Sequence, residues 1–74
     1  MEVQVLSTSS IAGKRLREAN FPKGASVGAV LTEGKVILPT GDTIVKEDSR
    51  VVIFAEAGVV KQIEQMFRVS IDFF

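Results

Sequence analysis

The chain contains no cysteine and no histidine, and neither tryptophan nor tyrosine. Without thiols and imidazoles there are no disulfide staples, no thiolate nucleophile, none of the usual zinc ligands and no near-neutral proton shuttle. Any chemistry would have to run on carboxylates, lysines and hydroxyls. Base-stacking platforms are reduced to five phenylalanines, which disfavours recognition of nucleic-acid bases. Charge of one sign is also missing: nine basic and nine acidic residues leave a formal net charge of zero, so no global field draws the chain to nucleic acid or an anionic bilayer. No apolar run approaches the ~20 residues of a membrane helix. The N-terminal MEVQVLSTSS has neither the basic region nor the apolar stretch of a signal peptide, and the expectation is a cytoplasmic chain.

What is present in quantity is apolar side chain. The 74 residues are 46% hydrophobic, with a mean hydropathy of +0.28. This length allows one domain, spanning 1–74, near the lower limit for a core without disulfides or metal. The surplus must be buried in that core or against another subunit.

Glu2 to Leu6 alternates polar and apolar, as a half-buried strand does. The capping residues Ser7 to Ser10 precede Ile11, after which Ala12, Leu16 and Ala19 follow helical spacing among Lys14, Arg15, Arg17 and Glu18. This predicts a short amphipathic helix, with Gly13 unfavourable in its first turn and Asn20 to Pro22 closing it. The segment 25–32 predicts a strand with Val27, Ala29 and Leu31 on one face and Ser26, Gly28, Val30 and Thr32 on the other. Gly28 marks a bulge or a close approach. Glu33-Gly34-Lys35 turns the chain into the return strand Val36 to Leu38, which Pro39 ends. Further turns are expected at 40–43 and 46–49, with Ile44-Val45 extended between them. The unalternating run Val51 to Ala55 reads as a central strand covered on both faces. From Gly58, a second helix carries Val59, Val60, Ile63, Met66 and Phe67 as one stripe. The tail alternates again through Val69, Ile71 and Phe73, which predicts a part in closing the fold or in self-association. The sum is an α+β fold, a small β-α-β-β-β-α sandwich of mostly antiparallel sheet with helices on one face.

No constellation carries catalysis. Glu47-Asp48 are neighbours on a turn and point apart, so they read as solvated turn residues. Lys14, Arg15 and Arg17, with Glu18 beside them, read as a solvated face. The glycines form neither a dinucleotide nor a P-loop motif, and Ser7 to Ser10 have no base to activate them. No metal site and no cofactor are expected in this domain. The reading is non-enzymatic, a regulatory module or a purely structural oligomerisation module.

The order of signals resembles one family. Gly13-Lys14-Arg15-Leu16-Arg17-Glu18, Asn20-Phe21-Pro22, the hairpin Val27 to Val30 answered by Val36 to Pro39, then Gly41-Asp42-Thr43 and Arg50 to Phe54, are similar to the TrkA C-terminal, or RCK C-terminal, domain. The resemblance spans nearly the whole chain. It implies a cytosolic, dimerising regulatory module of potassium uptake that follows a Rossmann domain and acts on a TrkH-type membrane potassium transporter. NAD or another nucleotide would belong to that neighbouring Rossmann domain. Some members hold cyclic di-AMP near the pairing surface of two domains, and by position the ligand-binding candidates here are Ser26, Val27, Ile37 and Pro39. Where cyclic di-AMP binders often carry Asn-Ile, this chain has Ser26-Val27, so a hydroxyl replaces the amide. Where the family usually has Gly-Asp before the last strand, it has Asp48-Ser49.

Overall fold

In the computed structural model, which describes residues 1–68, the alternating N-terminal run forms strand β1 (Glu2–Gln4), with Val3 buried between exposed neighbours. Strand β2 (Ala25–Thr32) and strand β3 (Lys35–Ile37) make a hairpin, and β4 (Arg50–Ala55) lies between β1 and β2. The order β1-β4-β2-β3 is antiparallel at every junction. A short 3-10 turn at Ala57–Val59 leads into the helix α1 (Val60–Phe67). Its Ile63 and Phe67 are fully buried because they lie i, i+4 on the apolar stripe. Arg68 closes the helix in the left-handed conformation, its N–H donating to the Glu64 carbonyl.

One core holds the domain together. Val3, Val5, Ile11, Val45, Val51, Ile53, Ile63 and Phe67 form it, with Leu16, Phe21 and Val27 packed at its margin. The Phe21 and Phe67 rings meet at a centroid distance of 6.4 Å and an angle of 45°, within the range of favourable tilted aromatic contacts.

The helix expected over 11–19 does not form. Gly13 takes φ +81°, Arg15 is extended, and only Leu16–Glu18 makes a single 3-10 turn. The reason is tertiary hydrogen bonding. Gly13 N–H donates to the Val45 carbonyl at 2.7 Å, Val45 N–H returns to Lys14 O at 2.9 Å, and Leu16 N–H donates to Thr43 O at 2.9 Å. These bonds to the 43–45 segment take the place of a helical ladder, and Arg15 bridges antiparallel to Ile44. Ile11 and Ala19 are buried all the same.

The serine run therefore serves another helix. Ser9 Oγ and Ser10 Oγ each donate to the Met66 carbonyl at 3.1 Å, and Ser10 N–H joins them at 3.1 Å. That carbonyl lies in the last turn of α1, where main-chain acceptors lack intrahelical donors. The serines cap a C-terminus brought to them by the fold.

The bulge expected at Gly28 is present, as a register shift between Val27 and Ala29. Val27 stands opposite Ile53, and Val30 opposite Val51. The extra residue changes the alternation, so Val30 turns to the core instead of sharing a face with Ser26. Strand β4 is central, as its composition implies, but its burial alternates. Val51 and Ile53 are buried while Phe54 is exposed. Among the described residues, β4 is covered on the Val51 and Ile53 side and open on the Phe54 side. The tail read as alternating, residues 69–74, lies outside the described residues.

Candidate functional site

The β2–β3 hairpin and the loop after it carry the residues singled out by sequence. Its turn consists of Glu33 and Gly34, at φ +51° and +74°. Both central residues are left-handed, as in the two-residue turn whose twist matches a hairpin. Three pairs follow: Thr32 with Lys35, Leu31 with Val36, and Val30 with Ile37. Beyond them Pro39 has no N–H with which to continue pairing to β2.

The Thr40 to Thr43 loop is closed on itself. Thr40 N–H donates to Thr43 Oγ1 at 2.9 Å, Asp42 N–H to Thr40 Oγ1 at 3.2 Å, and Thr43 N–H to Thr40 O at 3.1 Å. Arg17 fastens it from outside, through an ion pair with Asp42 at 2.6 Å and a 3.4 Å bond from Nε to the Gly41 carbonyl. One member of the basic cluster thus has a structural role in orienting the loop after β3. The turn at Asp48 keeps the left-handed geometry, φ +69°, which Asp adopts more readily than most residues.

The candidates fall into two groups. Val27, opposite Ile53, and Ile37, opposite Val30, share the core side of the sheet, with Ile37 at its open edge. Ser26 pairs with the exposed Phe54 on the other face. Pro39 is half-buried just past the last β2–β3 pair. An open depression of about 370 Å³ lies at the opposite, turn end of the hairpin, lined by residues 31–36 with Asp48 and Arg50. It includes none of the four.

Sequence reading expected surplus apolar side chain but did not locate the open apolar surface that carries it. Val36 is 69% exposed, Leu38 80% and Phe54 65%. The Phe54 ring lies so close over Gly28 that a Cβ built there would overlap it. Absence of a side chain at 28 leaves room for the Cε2 edge of the ring beside the bulged backbone. The available signal was β4's lack of alternation, which implied cover on both faces without saying what supplies it. Among the described residues no group of carboxylates gathers at metal-binding distance, and no helix is long and apolar enough to cross a membrane.

Comparison with known proteins agrees with this layout. A family model, the TrkA-C domain, matches residues 1–68. The chain is 46% identical over 74 residues to a Trk system potassium uptake protein TrkA from Azorhizobium caulinodans, covering all of this chain and 16% of that protein. It is 40% identical over 68 residues to a TrkA homolog from Methanosarcina mazei, covering 92% of this chain and 15% of the homolog. The chain therefore spans about one sixth of the length of these relatives. Among solved structures, the RCK_C domain dimer of S. agalactiae BusR in complex with c-di-AMP superposes with a TM-score of 0.81 at 24% identity, covering 93% of this chain and 89% of that one. This likeness establishes the α+β fold. With the proline-ended hairpin, the Gly-Asp-Thr turn and the last helix all inside the matched span, the chain belongs to the TrkA-C domain family.

Proposed function

We propose that this domain is the regulatory, ligand-sensing part of a Trk-type potassium uptake system, that it pairs with a second copy, and that it biases a membrane transporter of the TrkH type. The observation that carries the reading is the match to TrkA along the whole chain. An open apolar sheet face and edge on a small domain support the pairing, since side chains so exposed in water gain by association. The domain works without catalysis, and the nucleotide chemistry of the Rossmann type belongs to a neighbouring domain of the parent protein.

Regulation requires two states that a ligand binds unequally. Ser26, Val27, Ile37 and Pro39 form the ligand site in this reading, at the end of the hairpin away from its turn. Val27, Ile37 and Pro39 supply apolar contact, and the Ser26 hydroxyl supplies a hydrogen bond. Its ligand is a small nucleotide, with cyclic di-AMP the first candidate because the BusR domain that shares this fold is a dimer in complex with it.

Sedimentation across micromolar concentrations tests this, with cyclic di-AMP and adenine nucleotides added in turn. A dimer strengthened by one of them supports the reading and identifies the ligand. A dimer indifferent to all of them leaves a purely structural oligomerisation module. A monomer under every condition refutes the pairing.

A further inference from the structure

Strand β1 leaves a row of main-chain groups without a partner. The Met1 amine donates to the Ile53 carbonyl at 2.7 Å, Ile53 N–H returns to Met1 O at 2.7 Å, and Val5 N–H donates to Ser49 O at 2.8 Å. Antiparallel pairing alternates, so Met1, Val3 and Val5 direct their main-chain groups to β4, while Glu2 and Gln4 direct theirs outward. Nothing among the described residues pairs with the outer side of β1. The Glu2 carboxylate is held over the sheet by Arg50 at 2.9 Å, which draws it away from that edge.

The path of the chain leads back to the same edge. Strands β1 and β2 are both antiparallel to β4 and therefore parallel to each other, and residues 5–24 join them on the core side, where Ile11 and Ala19 share the core of Ile63 and Phe67. Helix α1 leaves β4 on that side too. Connections between parallel strands of one sheet are right-handed in about 98% of cases. Because β4 runs opposite to β1, a right-handed return from it moves in the opposite lateral sense to the β1–β2 connection, outward past β1. The end of α1 is already there, with its Met66 carbonyl bound by Ser9 and Ser10 just after β1. A strand that starts at this point runs antiparallel to β1.

We infer that residues 69–74 are the occupant of this edge, added antiparallel to β1 as a fifth strand. The inference is independent of any ligand or second copy in the proposed function, and the strand lies beyond the 1–68 span that the family model matches. Six residues at about 3.4 Å each reach roughly 20 Å, the length of the run from Ser7 back to Glu2. Directly opposed side chains share a face, so Ser70, Asp72 and Phe74 go with Glu2 and Gln4, and Val69, Ile71 and Phe73 go with Val3 and Val5. The register is set by two facts. Placing Asp72 against Glu2 would oppose like charges, and would also require Arg68, at φ +55°, to extend opposite Leu6. Shifting by two residues sets Asp72 against Gln4 and Phe74 against Glu2 as hydrogen-bonded pairs, with Phe73 against Val3 and Ile71 against Val5 between them. Met1 and Met66, half-buried at the core margin, are then covered by Phe73 and Ile71.

Because the chain has no cysteine, paired thiols test the register cleanly. Non-hydrogen-bonded antiparallel pairs have Cα atoms about 4.5 Å apart, within the roughly 4.4–6.8 Å of disulfides. The 74-residue chain carrying Val3→Cys and Phe73→Cys should close an internal disulfide at least about tenfold faster than one carrying Ile37→Cys and Phe73→Cys, whose sites lie four strand spacings apart at roughly 4.8 Å each. Circular dichroism checks the fold, and intact mass separates a bond within one chain from one between two. Should the buried Val3 site not tolerate the change, Glu2→Cys with Phe74→Cys tests the adjacent hydrogen-bonded pair, at about 5.5 Å. Equal rates for the 3–73 and 37–73 pairs, or a bond formed only between chains, overturns the inference.

Amide exchange gives a check without thiols. In the unmodified chain Glu2 and Gln4 N–H should be protected, and Asp72→Pro, which deletes the donor facing Gln4, should speed their exchange at least about tenfold. Val5 N–H, bonded to Ser49 O, should not change. Open amides at 2 and 4 in the unmodified chain, or protection that Asp72→Pro leaves intact, refutes the added strand.

Discussion

Gly13→Ala separates the observed turn from the helix that periodicity suggests, because the two assign opposite signs to one substitution. In an exposed helix, alanine would stabilise by about 1 kcal/mol relative to glycine. At φ +81° with nothing within 4 Å of an added Cβ, no clash arises and only backbone conformation matters. An L-residue in the left-handed region loses roughly 1–2 kcal/mol, offset in part by the roughly 0.4–1 kcal/mol that a less flexible unfolded chain contributes. The net is a loss of about 1 kcal/mol. Urea titration at a fixed protein concentration should show a lower midpoint at unchanged slope. In a domain of this size, 1 kcal/mol corresponds to a fall in Tm of roughly 4–8 °C. Gly34→Ala, at φ +74° and also in open space, should behave alike. A higher midpoint for Gly13→Ala would refute the turn and restore the helix over 11–19.

Phe67→Ala removes a fully buried ring from the centre of the core and should cost about 3–5 kcal/mol, enough to abolish a cooperative transition in a domain this small; a loss below about 1 kcal/mol would contradict the packing. Ser9→Ala should lower stability by about 1 kcal/mol, since its buried hydroxyl donates to Met66 O and accepts from Ile11 N–H at 3.4 Å. Amide exchange should rise in the last turn of α1, not in the 11–19 segment alone. Gly28→Ala should destabilise the chain by displacing the Phe54 ring, and the penalty should shrink in a Phe54→Ala background. Equal penalties in both backgrounds would show that the bulge backbone, and not the ring, requires glycine.

Local chemistry was sufficient for much of this fold. Alternation marked β1 and β2, the i, i+4 stripe ending at Ile63 and Phe67 marked α1, and Glu33-Gly34 and Asp48 marked turns. Each depends on residues adjacent in sequence or one turn apart. The segment 11–19 could not be settled that way, because a helix and a pair of turns bury Ile11 and Ala19 equally well. The bond from Gly13 to Val45, 32 residues away, decides between them. Ser9 and Ser10 were legible as caps, but which helix end they cap depends on where the fold carries Met66. The four ligand-site candidates came from the order of motifs, and strand pairing then set Ser26 on one face and Val27 with Ile37 on the other. Composition announced more apolar side chain than 74 residues easily bury; only the strand order shows that the excess lies at the β3 edge and around Phe54. Hydrophobic pattern is a property of neighbours along the chain, whereas the identity of an edge is a property of the pairing between distant strands.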